Sequence, residues 1–348
     1  MMKHFKKHIA VHYSRPSWSR TIPASLLFIS LLTPATCLAG AQASYMYKLS
    51  NFQGPVESLW ARLTVDPEEG EVYTLNQQDK AIQIFNTAAM QVYGFGEDLS
   101  LATATDISSG KGGDMYVLFN RPENHILQLD YKGDIVQKIV LGNIPAEFKR
   151  FRADYLDYRN DRFYLADAQA MQVIILSADG EYQEGHDFRK MINARIEEQM
   201  QQADISKAQQ KSLEDSLKAM GNTAFGGFST GNDGTIYFTA GTISAAFRYT
   251  PDGTLDQWGV PGGAPSKFGV VAGIQPDSQG NIFISDRLRC VVMMFDKDLN
   301  YVMEFGYRGD SPDSLIVPDD IAIDEQNHRL YVSQAANMGV SVFSLQFN

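Results

Sequence analysis

A four-residue phrase with an aromatic third position recurs six times along the 348-residue chain. Its copies are Glu71–Thr74, Asp114–Val117, Arg162–Leu165, Thr235–Phe238, Asn281–Ile284 and Arg329–Val332. The aromatic residues are Tyr73, Tyr116, Tyr164, Tyr237, Phe283 and Tyr331, so successive copies lie 43, 48, 73, 46 and 48 residues apart. A period of about 40 to 50 residues is typical of one four-stranded propeller blade. The sequence therefore predicts an all-β chain folded as a six-bladed β-propeller.

The fifth repeat shows how each unit divides into four strands. Gly273–Pro276 is the predicted inner strand, and Asn281–Ser285, Cys290–Phe295 and Tyr301–Gly306 follow it outwards. The turn Asp277–Gly280 contains residue types that form tight turns, because Asp binds its own backbone and Gly accepts positive φ. We therefore interpret the acids of such turns as turn formers rather than metal ligands.

The two ends of the chain predict how the ring closes. The sixth repeat, from Asp320 to Phe347, supplies only three strands, whereas Ser44–Gly54 precedes the first complete repeat and resembles the outer strand Tyr301–Gly309. We expect this N-terminal strand to complete the last blade, which removes the free sheet edges. Residues 44–348 then form one domain.

Residues 1–43 have the features of a cleaved signal peptide. The segment contains five Lys and Arg and no acid, an apolar run from Ile22 to Leu32, and small residues from Ala39 to Ala43. The apolar run is shorter than the roughly 20 residues of a spanning helix, so no transmembrane span is expected. A lipid anchor at Cys37 is the less favoured alternative, because Thr36 fits such a site poorly. We expect export to the periplasm or the cell exterior.

Charge limits the partners of the mature chain. Without the leader, 25 Lys and Arg oppose 41 Asp and Glu, which leaves a net charge of −16. Such a chain repels phosphate backbones, so nucleic acid is excluded as a partner. Another envelope or extracellular protein, or a small ligand, is expected instead.

The long step between the third and fourth repeats contains a helical insertion, residues 188–220. Apolar residues occur there at helical spacing in two segments, the first from Phe188 to Gln202 and the second opened by Asp204 and stopped by Gly221. We expect a helical hairpin between blades 3 and 4, either a flap packed on the rim or a docking element or lid over the channel. Its methionines Met191, Met200 and Met220 would suit adaptable protein contacts.

Several segments carry a family resemblance. Asp277–Asp286, Arg289–Asp296 and Glu304–Gly306 resemble the NHL repeat of six-bladed propellers, and Phe163–Asp167 and Val317–Asp324 keep part of the pattern. The second and fourth repeats lack the Ala-Asp that follows the aromatic strand. The resemblance implies an exported, bacterial-type member of this propeller family. It leaves the activity open, because members include scaffolds, ligand sensors and a few enzymes.

Two kinds of enzyme among these propellers bind a metal ion, and this chain lacks their ligands at the expected positions. Zinc-dependent lyases of this type have several axial histidines, whereas the mature chain has His125, His186 and His328, none on a predicted inner strand. Lactonases of the gluconolactonase type use a Glu, Asn and Asp set around a divalent ion, and such Asn residues have no evident place on the inner strands either. No cofactor is therefore expected from these two patterns.

Alignment of the inner strands brings one group of charged residues together in the channel. Arg62, Asp106, Asp154 and Asp320 fall at similar levels. The three carboxylates could hold Ca²⁺, or Arg62 could neutralise them in a structural ring, which we favour because desolvated carboxylates need partners.

The loops on the side of the insertion contain a basic and aromatic cluster. Its members are Phe148, Lys149, Arg150, Phe151 and Arg152. Together with the hairpin, this cluster predicts a contact surface at the channel mouth. The sequence thus favours an exported, non-catalytic binding scaffold. The alternative is a channel enzyme of lyase or hydrolase type that uses a divalent cation held by Asp106, Asp154 and Asp320.

Overall fold

The computed structural model describes residues 40–76, 81–96, 101–202, 205–335 and 339–347. Most of the predicted signal peptide, with Cys37, lies outside the described residues. In the part of the chain that is described, no helix is long and apolar enough to cross a membrane.

Six four-stranded antiparallel sheets form the blades. The chain begins with β1 (Gln42–Lys48), which belongs to blade 6, and the short pair β2 (Ser50–Asn51) and β3 (Gly54–Pro55). Blades 1 to 3 consist of β4 (Arg62–Val65), β5 (Val72–Asn76), β6 (Ala81–Phe85) and β7 (Gln91–Phe95); β8 (Ala104–Ser109), β9 (Met115–Phe119), β10 (His125–Leu129) and β11 (Ile135–Val140); and β12 (Tyr155–Arg159), β13 (Arg162–Asp167), β14 (Gln172–Ser177) and β15 (Tyr182–Asp187). Blades 4 to 6 consist of β16 (Gly227–Thr230), β17 (Ile236–Ala240), β18 (Ala245–Tyr249) and β19 (Leu255–Trp258); β20 (Val271–Pro276), β21 (Ile282–Asp286), β22 (Val291–Phe295) and β23 (Tyr301–Phe305); and β24 (Pro318–Asp324), β25 (Arg329–Gln334) and β26 (Ser341–Gln346).

The inner strands contact one another in a closed ring, in the order β4, β8, β12, β16, β20, β24 and back to β4. The six-bladed β-propeller predicted from the repeat is therefore confirmed. The aromatic residues of the recurring phrase all lie on the second strands and are between 0% and 7% exposed. They are buried because a second strand has a sheet neighbour on each side and a neighbouring blade on each face.

The N-terminal strand completes the last blade, as predicted. β1 pairs antiparallel with β26, from Gln42 opposite Gln346 to Lys48 opposite Ser341. The rings of Tyr45 and Phe343 pack edge to face, with centroids 5.8 Å apart. The sheet of blade 6 thus joins the two ends of the chain.

The predicted helical insertion is also confirmed. Helices α1 (Phe188–Met200) and α2 (Lys207–Gly221) lie between β15 and β16. The side chain of Asp187 caps α1 by accepting a hydrogen bond from the amide of Lys190. The predicted opening residue of the second segment, Asp204, lies outside the described residues. α2 begins at Lys207, where Ser206 and Gln209 form a capping box.

The insertion packs on blades 3 and 4. Phe188, Ile192 and Met220 are buried in the apolar core between these blades. α1 contacts β14, and Arg195 donates a hydrogen bond to the carbonyl oxygen of Leu255 on β19, at 2.9 Å. These contacts lie away from the propeller axis. They agree with the predicted packing of a flap on the rim, and the docking role stays a prediction.

Candidate functional site

An axial cavity of about 350 Å³ is lined by all six blades. Its lining runs from the middle of the inner strands to the turns that follow them, where Pro67, Asn232, Ser278 and Gln326 are exposed. The cavity therefore opens at the ends of the inner strands. The insertion enters before inner strand β16, at the opposite side of the molecule. The prediction that the channel mouth lies on the insertion side is thus wrong for this cavity.

Arg62 lies at the closed end of the cavity. Its guanidinium carbon is 4.7 Å from the ring centroid of Tyr155, whose hydroxyl donates to the carbonyl oxygen of Gly226 at 3.0 Å. Burial opposes the positive charge, but the nearby Tyr155, Asp106 and Asp320 outweigh burial and raise the pKa of Arg62. The structure thus brings together Arg62, Asp106 and Asp320, as the strand alignment predicted.

The two carboxylates beside Arg62 are bound by backbone amides. Asp320 accepts hydrogen bonds from Leu63 at 2.8 Å and from Ile321 at 3.1 Å. Asp106 accepts from Leu156 at 2.9 Å and from Ile107 at 3.0 Å. Each carboxylate is therefore fixed in orientation and joins its own blade to the next one.

Burial makes both carboxylates difficult to ionise. It raises the pKa of Asp106 from 3.8 to about 7 and that of Asp320 to about 6, although Arg62 and the backbone amides act in the opposite direction. The closed end can therefore gain or release a proton near neutral pH.

Asp154, the third predicted channel acid, has other partners. Its carboxylate accepts hydrogen bonds from the amide of Ala168 at 3.0 Å and from the side chain of Asn120 at 3.2 Å. Asp154 precedes β12 and does not line the cavity. Among the described residues, no group of three or more His, Cys, Asp or Glu side chains is arranged to hold a metal ion. The residues therefore do not fit the predicted three-carboxylate Ca²⁺ site.

The middle of the cavity contains polar groups that the sequence analysis missed. Asp157 accepts hydrogen bonds from the amide and hydroxyl of Thr230, both at 2.8 Å, and lies 3.3 Å from Nε of Arg159. Ser229 is 3% exposed, and its hydroxyl has no hydrogen-bond partner among the described residues. Asp157 and Arg159 stand two apart on an inner strand, which places them on one side, and this spacing could have identified them.

The rim of the cavity is acidic, with Asp277, Asp324 and Glu325 in its lining. Asp277 accepts from the amides of Gln279 and Asn281, as a turn former does. Asp324 accepts from the amide and side chain of Asn327 in the same way. The interpretation of Asp277 as a turn former is confirmed, and the turn also carries its charge to the cavity rim.

The predicted contact surface divides into buried and exposed residues. Phe148, Phe151 and Met220 are 4%, 7% and 2% exposed, so their assignment to a contact surface is wrong. The two phenylalanines pack in the core between blades 2 and 3, Phe148 at the end of the short helical turn Ala146–Phe148 and Phe151 after it. Met191 and Met200 are partly buried, whereas Lys149, Arg150 and Arg152 are exposed.

Comparisons with solved structures identify the class of fold. The chain is similar to a protein of unknown function from Bacteroides thetaiotaomicron, with 11% identity, coverage of 88% of this chain and 76% of the other, and a TM-score of 0.59. It is also similar to a gluconolactonase from Xanthomonas campestris, with 14% identity, 88% and 90% coverage and a TM-score of 0.54. A virginiamycin B lyase from Staphylococcus aureus, solved with quinupristin, gives 11% identity, 88% and 100% coverage and a TM-score of 0.53.

These similarities show the fold alone, a six-bladed β-propeller. The neighbours include enzymes as well as a protein of unknown function. No family model and no curated protein matches the chain.

Proposed function

We propose that this chain is an exported, non-catalytic NHL-type propeller that binds a small polar ligand in its axial cavity. One observation carries the proposal: a cavity of about 350 Å³ collects polar side chains from all six blades and opens to solvent at one end. Pockets of a few hundred Å³ with convergent polar groups are the usual place for small ligands.

The residues that line the cavity favour ligand binding over catalysis. Asp106, Asp157 and Asp320 each accept backbone amides, which gives rigid acceptors rather than mobile acids or bases. The described lining residues include no histidine and no cysteine. His125 stacks on Phe119 and His186 packs against Tyr249, both outside the cavity.

A channel enzyme of lyase or hydrolase type is the second candidate. The raised pKa of Asp106, about 7, is that of a carboxyl group able to act as a general base near neutral pH. Turnover of a ligand that disappears in Asp106→Asn while binding persists would support this candidate. The exposed Lys149, Arg150 and Arg152 remain available to an acidic partner protein in either case.

The proposed binding is tested by filling the cavity. Gln275 lies in the lining, so Gln275→Trp should occupy much of the open space, whereas Lys138→Trp places the same residue on an exposed outer strand. A thermal-shift screen of neutral, anionic and cationic small molecules should yield hits for the wild type and for Lys138→Trp that Gln275→Trp loses.

Hits that survive in a folded Gln275→Trp variant would place binding elsewhere. A screen without hits in any charge class would contradict small-ligand binding and leave a protein scaffold.

A further inference from the structure

We propose that the ligand of the axial cavity is a linear polyamine, with cationic groups at two levels of the channel. This inference rests on the proposed binding function and adds the chemical class of the ligand. The argument depends on charge, on unused hydrogen-bond acceptors and on the spacing of the acids along the axis.

The cavity carries more negative than positive groups. Six acids occur among the described lining residues, namely Asp106, Asp157, Asp277, Asp320, Asp324 and Glu325, and one base, Arg159. Arg159 pairs with Asp157, and Arg62 lies beside Asp106 and Asp320 and compensates one of them. One carboxylate at the closed end and three at the rim therefore lack a cationic partner in the cavity.

In their ionised forms the acids offer acceptors and no donors, and a bound cation favours ionised Asp106 and Asp320 against the burial that raises their pKa. An ionised carboxylate provides about four acceptor positions, and Asp320 uses two of them for Leu63 and Ile321. Asp106 likewise uses two, for Leu156 and Ile107. The unused positions require a ligand rich in N–H donors, and an ammonium group supplies both the donors and the charge.

The acids are arranged at two levels. Asp320 and Asp324 both line the cavity and lie four residues apart on β24. At about 3.3 Å per residue, the closed end and the rim are about 13 Å apart. A single compact cation cannot contact both levels, whereas an extended chain with amines at its ends can.

A polar group also lies between the two levels. Ser229 lines the cavity, is 3% exposed, and has a hydroxyl without a hydrogen-bond partner in the described part of the chain. A buried polar group without a partner costs free energy, which a ligand can recover. A secondary amine in the middle of a polyamine is able to donate a hydrogen bond to this hydroxyl.

The test uses spermidine as the probe, with octane-1,8-diol and octanedioate as neutral and anionic chains of similar length. Isothermal titration calorimetry should show one spermidine bound per chain and much weaker binding of the other two. Asp320→Asn at the closed end and Asp277→Asn at the rim should each weaken spermidine binding by about tenfold or more, because each removes a charge-assisted contact.

Asp296→Asn is the matched control for Asp277→Asn. Asp296 accepts hydrogen bonds from the amides of residues two and four positions later and from the side chain of Asn300. Asp277 makes the same three bonds, with Asn281 in place of Asn300. Asp296 lies outside the cavity lining, so its replacement should leave spermidine affinity within about twofold.

The outcomes separate this inference from the proposed function. Tight binding of the diol or the diacid, lost in Gln275→Trp, would overturn the polyamine while the cavity function stands. Spermidine that binds all variants equally, or not at all, would also overturn the inference. A small-molecule screen without hits contradicts the cavity function itself.

Discussion

Asp106 shows how a single buried carboxylate can make the stability of the propeller depend on pH. Burial raises its pKa from 3.8 to about 7, so between these values the folded chain holds a proton that the unfolded chain has released. The contribution of Asp106 to the free energy of unfolding is therefore fully present below about pH 4 and is lost as the pH rises towards 7. Asp320 acts in the same direction.

We expect Asp106→Asn to remove this pH dependence. The free energy of unfolding of the wild type, relative to that of the variant, should fall between pH 4 and pH 7 by up to about 4 kcal/mol. Urea unfolding across this range measures the difference. The comparison between the two proteins matters because burial lowers the pKa of His186, which gives a slope of opposite sign. Parallel pH profiles would show that Asp106 ionises normally.

At the scale of elements, the helical hairpin depends on one arginine. Arg189 on α1 donates to the carbonyl oxygens of Gln169 and Thr223, both at 2.7 Å, and to that of Met220. Three carbonyl groups at the end of α2 and in blade 3 thus share one guanidinium. Arg195, also on α1, donates only to Leu255 among the described contacts.

These two arginines form a matched pair for mutation. We expect Arg189→Ala to lower the free energy of unfolding by about 2 to 4 kcal/mol, and Arg195→Ala by less than about 1 kcal/mol, because a typical hydrogen bond contributes about 1 kcal/mol. Hydrogen exchange should accelerate in α2 for Arg189→Ala and remain unchanged in blades 1 and 6. Equal effects of the two variants would mean that apolar packing alone holds the hairpin.

The bounds of strands and helices were predicted better than the exposure of their side chains. The strand pattern and the capping residues act locally, so the fifth repeat's Tyr301–Gly306 is close to the observed Tyr301–Phe305. The burial of Phe148 and Met220 depends on blades that lie beside them only after folding. An aromatic or methionine in a loop or helix has the same local pattern whether it faces solvent or a neighbouring blade.

At the scale of the whole molecule, side-chain hydrogen bonds link the blades in the same order around the ring, four as acceptors from amides and two as donors to carbonyl oxygens. A side chain of each blade binds the inner-strand backbone of the next. The side chains, in ring order, are Asp320, Thr64, Asp106, Asp157, Thr239 and Ser285. The sequence alignment placed Arg62, Asp106 and Asp320 together correctly. It could not show which end of the channel is open, because Arg62, Tyr155, Asp106 and Asp320 come from separate blades and meet only after folding.

Removal of the closing strand should weaken the whole ring. A chain that begins at Ser50 lacks β1, whereas a chain that begins at Gln42 retains it. We expect the shorter chain to melt at least about 10 °C lower and to self-associate, because β26 then exposes a free edge and Phe343. Differential scanning calorimetry and light scattering provide the measurements. Equal melting temperatures would show that blade 6 is stable with three strands.

The pairing of β1 with β26 also sets the order of events during biosynthesis. Tyr45 and Phe343 are 298 positions apart in the chain, so this contact waits until the ribosome has made nearly the whole polypeptide. Contacts between such distant segments form slowly. The sheet of blade 6 thus stays incomplete while the chain is being made, and the pairing of β1 with β26 forms only afterwards, a delay that would suit the export proposed above.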